Sequence, residues 1–337
     1  MNYQETVKSI WRHGAHPLPD DAAILREIVR YATLAPSSHN TQCWRFQLEN
    51  RSIAILPDLS RRTPVVDPDD HHLYVSLGCA AENLVQAAKA LGFTAQPEGH
   101  SAAGATTFTL EAAETRESSF FKAIPYRQCT RTDFDGQPLR TEELRLLETA
   151  GSGSNVRVLL LTEPETMEKV LDYVVEGNSR QISNPAFVRE LERWIRFNDD
   201  EALRTGDGLS ARVTGSPPAP RWLGRILFRA FLRTKPENDK YARQLRSSAG
   251  IALFVSNSDD KREWVEAGRC YERFALQATV LGIKNAFVNQ PVEETGLRPE
   301  FARVFGLGES RPQLVVRFGR AKDMPRSLRR PVEAVLI

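Results

Sequence analysis

Cysteine, net charge and long apolar runs are all in short supply in this chain, and each shortage removes a class of protein. Its cysteines, Cys43, Cys79, Cys129 and Cys270, lie far apart, with no C-x-x-C pair. That spacing offers neither a zinc ligand pair nor a disulfide framework, and it fits reduced thiols in a cytoplasm. The 45 basic residues are nearly matched by 43 acidic ones, for a formal charge of +2. Such a balance argues against nucleic acid as a main partner, which calls for a strongly basic face. No apolar run approaches the roughly 18 residues that would span a bilayer. The stretch from Met1 to Asp21 holds Arg12 and His13 but no apolar core of a secretory signal, so a cytoplasmic protein is expected.

What is present is a mixture of amphipathic helices and alternating strands. A length of 337 residues with 41% hydrophobic content suggests about two domains and a sizeable core. Ile24, Ile28, Tyr31, Ala32 and Ala35 recur along one helix, and Pro36 ends it, because proline biases the preceding residue away from helical dihedrals. A polar loop follows, Ser37-Ser38-His39-Asn40-Thr41-Gln42-Cys43. Then Trp44 to Leu48 and Ser52 to Leu56 alternate as a hairpin around Glu49-Asn50-Arg51. Short Ser and Asn side chains either bond their own backbone or face a ligand, so the loop is a plain connection or the edge of a site. His71 and His72 follow Asp67-Pro68-Asp69-Asp70 at a helix start, where adjacent side chains point to different faces. With no third donor at metal-ligand spacing, solvent-facing or capping histidines are expected, and no metal site.

The helix from Ser76 to Leu91 is rich in small residues and ends at Gly92, the pattern of a buried central helix. Its Gly78, Glu82, Ala88, Leu91 and Gly92 recur at identical spacing as Gly268, Glu272, Ala278, Leu281 and Gly282. Five identities in one register point to an old duplication. The flanks agree, since each copy is preceded by a helix and then a strand, the second pair being Thr141 to Ala150 and Val156 to Leu161. Further strands are expected at Ala249 to Ser256 and Pro312 to Arg317, and the second central helix from Trp264. Between Phe197 and Asn238 regularity breaks down around several glycines and prolines. A helix there carries Arg221, Arg225, Arg229 and Arg233 four apart, beside Trp222, Ile226 and Phe231. Such a segment could pack on its own domain, cover a site as a lid, or lie on a membrane surface.

Several motifs then fall into one order: A-P-S-S-x-N-T-Q-x-W-R-F from Ala35 to Phe46, D-P-D from Asp67, Y-R-x-C-x-R from Tyr126, N-Q-P-V-E from Asn289 and R-R-P-V-E from Arg329. That series resembles the nitroreductase family of FMN-dependent oxidoreductases, and is most similar to its Acg-type branch, whose members carry two halves in one chain. Cys43 stands where the family usually has proline, and Cys129 where it usually has serine.

The resemblance implies an α+β fold of two tandem nitroreductase halves, residues 1–125 and 126–337, mimicking the family's homodimer, with a lid insertion over about 198–240. Each half keeps one of the two parts of a flavin site, so the fused chain should build one complete site and act as its own pseudo-dimer, with no second copy required. The implied FMN ligands are Ser37, Ser38, Asn40 and Gln42 from the first half and Arg127, Cys129 and Arg131 from the second. Asn289, Gln290 and Pro291 would lie beside the flavin ring, Arg329 and Arg330 toward the phosphate, and His39 in the substrate space. Guanidinium forks suit a phosphate dianion. No catalytic side chain is required, because FMN brings its own reactivity. The implied activity is ping-pong hydride transfer from NAD(P)H to a nitroaromatic, quinone or related small-molecule acceptor. The alternative is an FMN-binding protein with little turnover, its nicotinamide excluded by the lid.

Overall fold

A computed structural model describes residues 2–14, 17–100 and 104–337. Helix α1 (Tyr3–Ile10) is followed by α2 (Asp21–Thr33), whose first turn is capped by Asp20 Oδ1 accepting the Ala23 N–H at 2.8 Å. The expected hairpin is β1 (Trp44–Glu49) and β2 (Ser52–Pro57). After it come α3 (His71–Ala90), β3 (Phe93–His100), β4 (Thr106–Ala112) and α4 (Ser119–Ala123). The chain continues through α5 (Thr141–Gly151), β5 (Val156–Leu161), α6 (Pro164–Ser183) and α7 (Pro185–Trp194). Next are β6 (Ile195–Arg196), α8 (Asp199–Thr205), β7 (Leu209–Ser210), α9 (Ala211–Thr214), α10 (Arg221–Phe231) and α11 (Thr234–Arg246). The last elements are β8 (Gly250–Ser256), α12 (Lys261–Val280), β9 (Lys284–Phe287), α13 (Gln290–Glu293), α14 (Arg298–Val304) and β10 (Arg311–Gly319).

This is an α+β architecture with two antiparallel four-stranded sheets, ordered β1-β2-β4-β3 and β5-β8-β10-β9. Between them cross α3 and α12. All of α3 except Lys89 is buried, as its small, all-round apolar sequence requires. At the crossing a Cβ on Gly78 would collide with the Val265 carbonyl oxygen, and a Cβ on Gly268 with the Val75 carbonyl oxygen. The two repeat glycines therefore serve one reciprocal contact, backbone against backbone. The largest apolar core gathers Ile28, Trp44, Leu84 and Phe108 together with Val158, Phe254, Phe274 and Phe318, so elements from both ends of the chain share it.

Three further features set up the site. The stretch expected to be irregular is largely helical, α8 to α11, and its short strand β7 pairs in parallel with β6 just before it. After β10 the tail runs back across the molecule and adds an edge to β1, with Phe46 N–H donating to Val335 O at 2.8 Å and Ile337 N–H to Phe46 O at 3.0 Å. Among the described residues no helix is long and apolar enough to cross a membrane.

Candidate functional site

The loop after α2 is strained and heavily braced. His39, Asn40 and Gln42 all have positive φ, at 49°, 54° and 52°, conformations that L side chains occupy at a cost on the order of 1–3 kcal/mol each. Their side chains show what holds them there. Gln42 donates to Gly206 O at 2.8 Å and accepts the Arg330 N–H at 2.8 Å. Asn40 donates to Gly208 O at 3.0 Å and accepts from Arg329 Nη1 at 2.9 Å, while its own carbonyl takes the Gly208 N–H. Between those glycines Asp207 binds Arg196, at 2.6 Å, and Arg61. The insertion and the tail thus clamp the loop from two sides.

Arginines converge on the inner end of this loop. The buried Arg329 spends all five N–H donors on Thr33 O, Leu34 O, Ala35 O, Leu328 O and Asn40 Oδ1, closing the carbonyl end of α2. Arg127 donates to Leu34 O at 2.9 Å, and its Nε lies 3.1 Å from the buried Glu272. Arg326 donates to the carbonyls of Arg127 and Tyr126 and lies over the Trp11 ring. Arg131 has no side-chain partner among the described residues.

All four line one small cavity of about 50 Å³, whose other walls include Ser37, Asn40, Cys129 and Trp11, and no carboxylate lines it. Burial and then the adjacent Arg127 charge push Arg329 down to about 9, and they push Arg326 down as well. Glu272 is raised to about 7 by burial, against the pull of Arg127. The cavity is an excess of positive charge facing a space the size of one small anion.

A second cavity, of about 250 Å³, adjoins it and shares Pro36, Ser37, Arg131, Leu209 and Phe287. Ser38, His39, His72, Ser76, Asn289, Gln290 and Glu293 complete its polar wall. His39 is held down to about 4 by burial and then by the charges of Arg131 and His72. Glu293 is raised by burial and accepts from Gln181 at 2.8 Å. Burial raises Tyr241 to about 12. The same wall carries the Glu237 carboxylate, paired with Lys240 at 3.2 Å, and the free Arg131 guanidinium stands where the two cavities meet. A third cavity, of about 520 Å³ and mostly apolar, opens on the far side of Arg131, Leu209 and Phe287 beneath α10.

No protein-family model matches the chain. A Mycobacterium tuberculosis protein named "Putative NAD(P)H nitroreductase Rv3131" is 25% identical over 331 residues, spanning 94% of this chain and 92% of the relative. Another from the same organism, "Putative NAD(P)H nitroreductase acg", is 22% identical over 331 residues, spanning 93% and 95%. The chain is thus similar over nearly its whole length to proteins that carry the NAD(P)H nitroreductase name. Among solved structures, a nitroreductase with bound FMN from Bacteroides fragilis is 13% identical and covers 61% of this chain and 90% of its own, with a TM-score of 0.36.

Of the residues that the nitroreductase motifs singled out, Ser37, Ser38, His39, Asn40, Arg127, Cys129, Arg131, Asn289, Gln290 and Arg329 do line the paired cavities. Gln42, Pro291 and Arg330 do not line them. Gln42 is wholly buried as a loop brace, Pro291 sits inside α13, and the Arg330 guanidinium turns away to Ala334 O. Arg329 lines the small cavity with every donor already used, which makes it a brace for the loop. Sequence reasoning missed Trp11, which motif spacing does not mark, and gave no role to Gly206 or Gly208.

The histidine pair also needs correcting. His71 and His72 are buried, and a third donor, Asp67, does lie beside them, with one ligand atom from each within 4.8 Å of the others. Yet the two Asp67 oxygens already accept the N–H groups of His72 and Leu73, at 3.0 and 2.9 Å, which is why α3 starts earlier than Ser76. A cation there would meet the positive end of α3 and the charge of Arg298. The cluster is a buried helix start.

Proposed function

We propose that the two joined cavities hold one FMN per chain and that the protein is an NAD(P)H-dependent oxidoreductase of the nitroreductase type. The observation carrying this reading is the small cavity lined by Arg127, Arg131, Arg326 and Arg329 and by no carboxylate, opening directly into a polar slot edged by the strained loop. Buried cations without counter-charges are costly unless an anion joins them, and a phosphate dianion is an anion of that size. Arg131 and Arg127 would hold the phosphate, Ser37 and Cys129 would flank the chain leading from it, and Ser38, Asn289 and Gln290 would face the ring edge. When bound, FMN would supply two-electron chemistry between NAD(P)H and a nitroaromatic, quinone or related acceptor.

The chain's own groups would bind, orient and exclude water, with His39 a neutral wall of the acceptor space. The tandem reading gains support from the reciprocal glycine crossing and from the counterpart of the site on the other side of it. There Arg273 donates to Ala150 O and Ser152 O, and pairs with Glu82 at 3.1 Å, much as Arg127 meets Leu34 O and Glu272. Arg273 at that position supports a reading of one site per chain.

The test is the visible absorbance of the purified protein and its bleaching by NADPH without oxygen. A yellow protein that NADPH bleaches supports the reading, while protein that stays colourless after FMN is added defeats it. Flavin that no nicotinamide reduces would point instead to a binding protein of low turnover, a reading that the roof of α10 beside the slot keeps in play.

A further inference from the structure

We propose that the chamber beneath α10 seats an apolar tail, and that the acceptor used at this site is a lipophilic quinone whose head enters the ring cavity. The reduction rests on the flavin reading above, and the binding does not. The chamber is walled by Phe197, Ala211, Pro217, Leu227, Phe228 and Phe231. Protein interiors are close-packed, and apolar walls facing open space forfeit dispersion contacts. A segment needed only as a cover would have closed that space.

Charge is distributed to match. Lys240 and Glu237 pair with each other at 3.2 Å, and the buried Arg317 donates to Gln244 O, Thr130 O and Thr132 O. The unpartnered charge is Arg131, at the neck shared with the ring cavity. A neutral body therefore belongs in the chamber and a polar head at the neck. Compact nitroaromatics would leave the chamber unused.

The roof is built to lift. Within α10 only Gly224 is buried, where a Cβ would strike the Phe197 ring, and Phe228 meets the same ring edge-on at 6.5 Å. Elsewhere it is held by Arg221 to Glu201 at 3.0 Å and by Arg225 and Arg229 to Glu192 at 2.6 and 2.7 Å. Those arginines are about half exposed, and such pairs hold weakly. Phe231, 72% exposed, stands at the opening. In the balanced reaction the quinone gains two electrons and two protons to become the quinol. NAD(P)H would supply both electrons and one of those protons, and solvent the other.

The experiment measures displacement of the apolar fluorophore Nile red from the purified protein by a decyl-substituted benzoquinone and by the same quinone without its tail. The decyl compound should bind at least about tenfold more tightly. Leu227→Trp, filling the chamber from a partly exposed wall, should abolish that preference and leave the tail-less quinone unaffected. Ala211→Phe fills it from another side and gives the same reading should the first variant misfold. Equal binding of both quinones by the native protein, or a tail preference that survives in folded filled variants, overturns the proposal. A protein that prefers the tail yet holds no flavin keeps the chamber and loses the redox reading, whereas flavin-loaded protein without the preference does the reverse.

Discussion

Two arginines on one five-residue stretch have opposite duties. Arg131 has no partner, so Arg131→Ala should leave unfolding stability within about 0.5 kcal/mol of native while weakening FMN retention at least about tenfold. Arg127 instead faces Glu272, and Arg127→Ala leaves that carboxyl buried without its cation. A loss of roughly 3 kcal/mol is expected there, and denaturant unfolding beside flavin titration separates the two effects. His39 gives a pH signature. Its folded value, about 4, lies below the ordinary 6.5, so the unfolded chain takes up the proton first as pH falls through that window. Stability should therefore drop by roughly 2 kcal/mol between those limits, and His39→Gln should flatten the slope in a series of unfolding curves.

At the scale of elements, the crossing of α3 and α12 is the least forgiving place in the fold. Gly78→Ala must push the helices apart or bend one of them, at a cost of about 1–3 kcal/mol or more, and a thermal melt of the purified variant checks it. Much of this level was legible in the sequence. The hairpin at Trp44, the ends of α5 and β5, and the two glycine-bearing helices follow from local periodicity and from the repeat. What stayed hidden depended on contacts far along the chain. Nothing near Gln42 says that Gly206 and Arg330 will take both ends of its amide. The four-apart arginines of α10 announced a polar stripe, but their partners Glu192 and Glu201 lie in α7 and α8. Periodicity reveals which face is charged and not what stands opposite.

Seen as a whole, the described residues form two four-stranded sheets and a short two-stranded one, share one reciprocal helix crossing, and wall the small cavity lined by Arg127, Arg131, Arg326 and Arg329. Titration of the purified protein with FMN should saturate at one equivalent per chain, read by flavin fluorescence. Two equivalents would mean that Arg273 and Glu82 do not fill the counterpart position.

The tail that returns to β1 makes the terminus a working part of the molecule. Arg329 and Arg330 hold the strained loop, and the segment after them is anchored on the Phe46 backbone of β1. Shaving off the last few amino acids would thus slacken a turn nearly three hundred positions earlier, and an affinity label appended there would pull on the same cord.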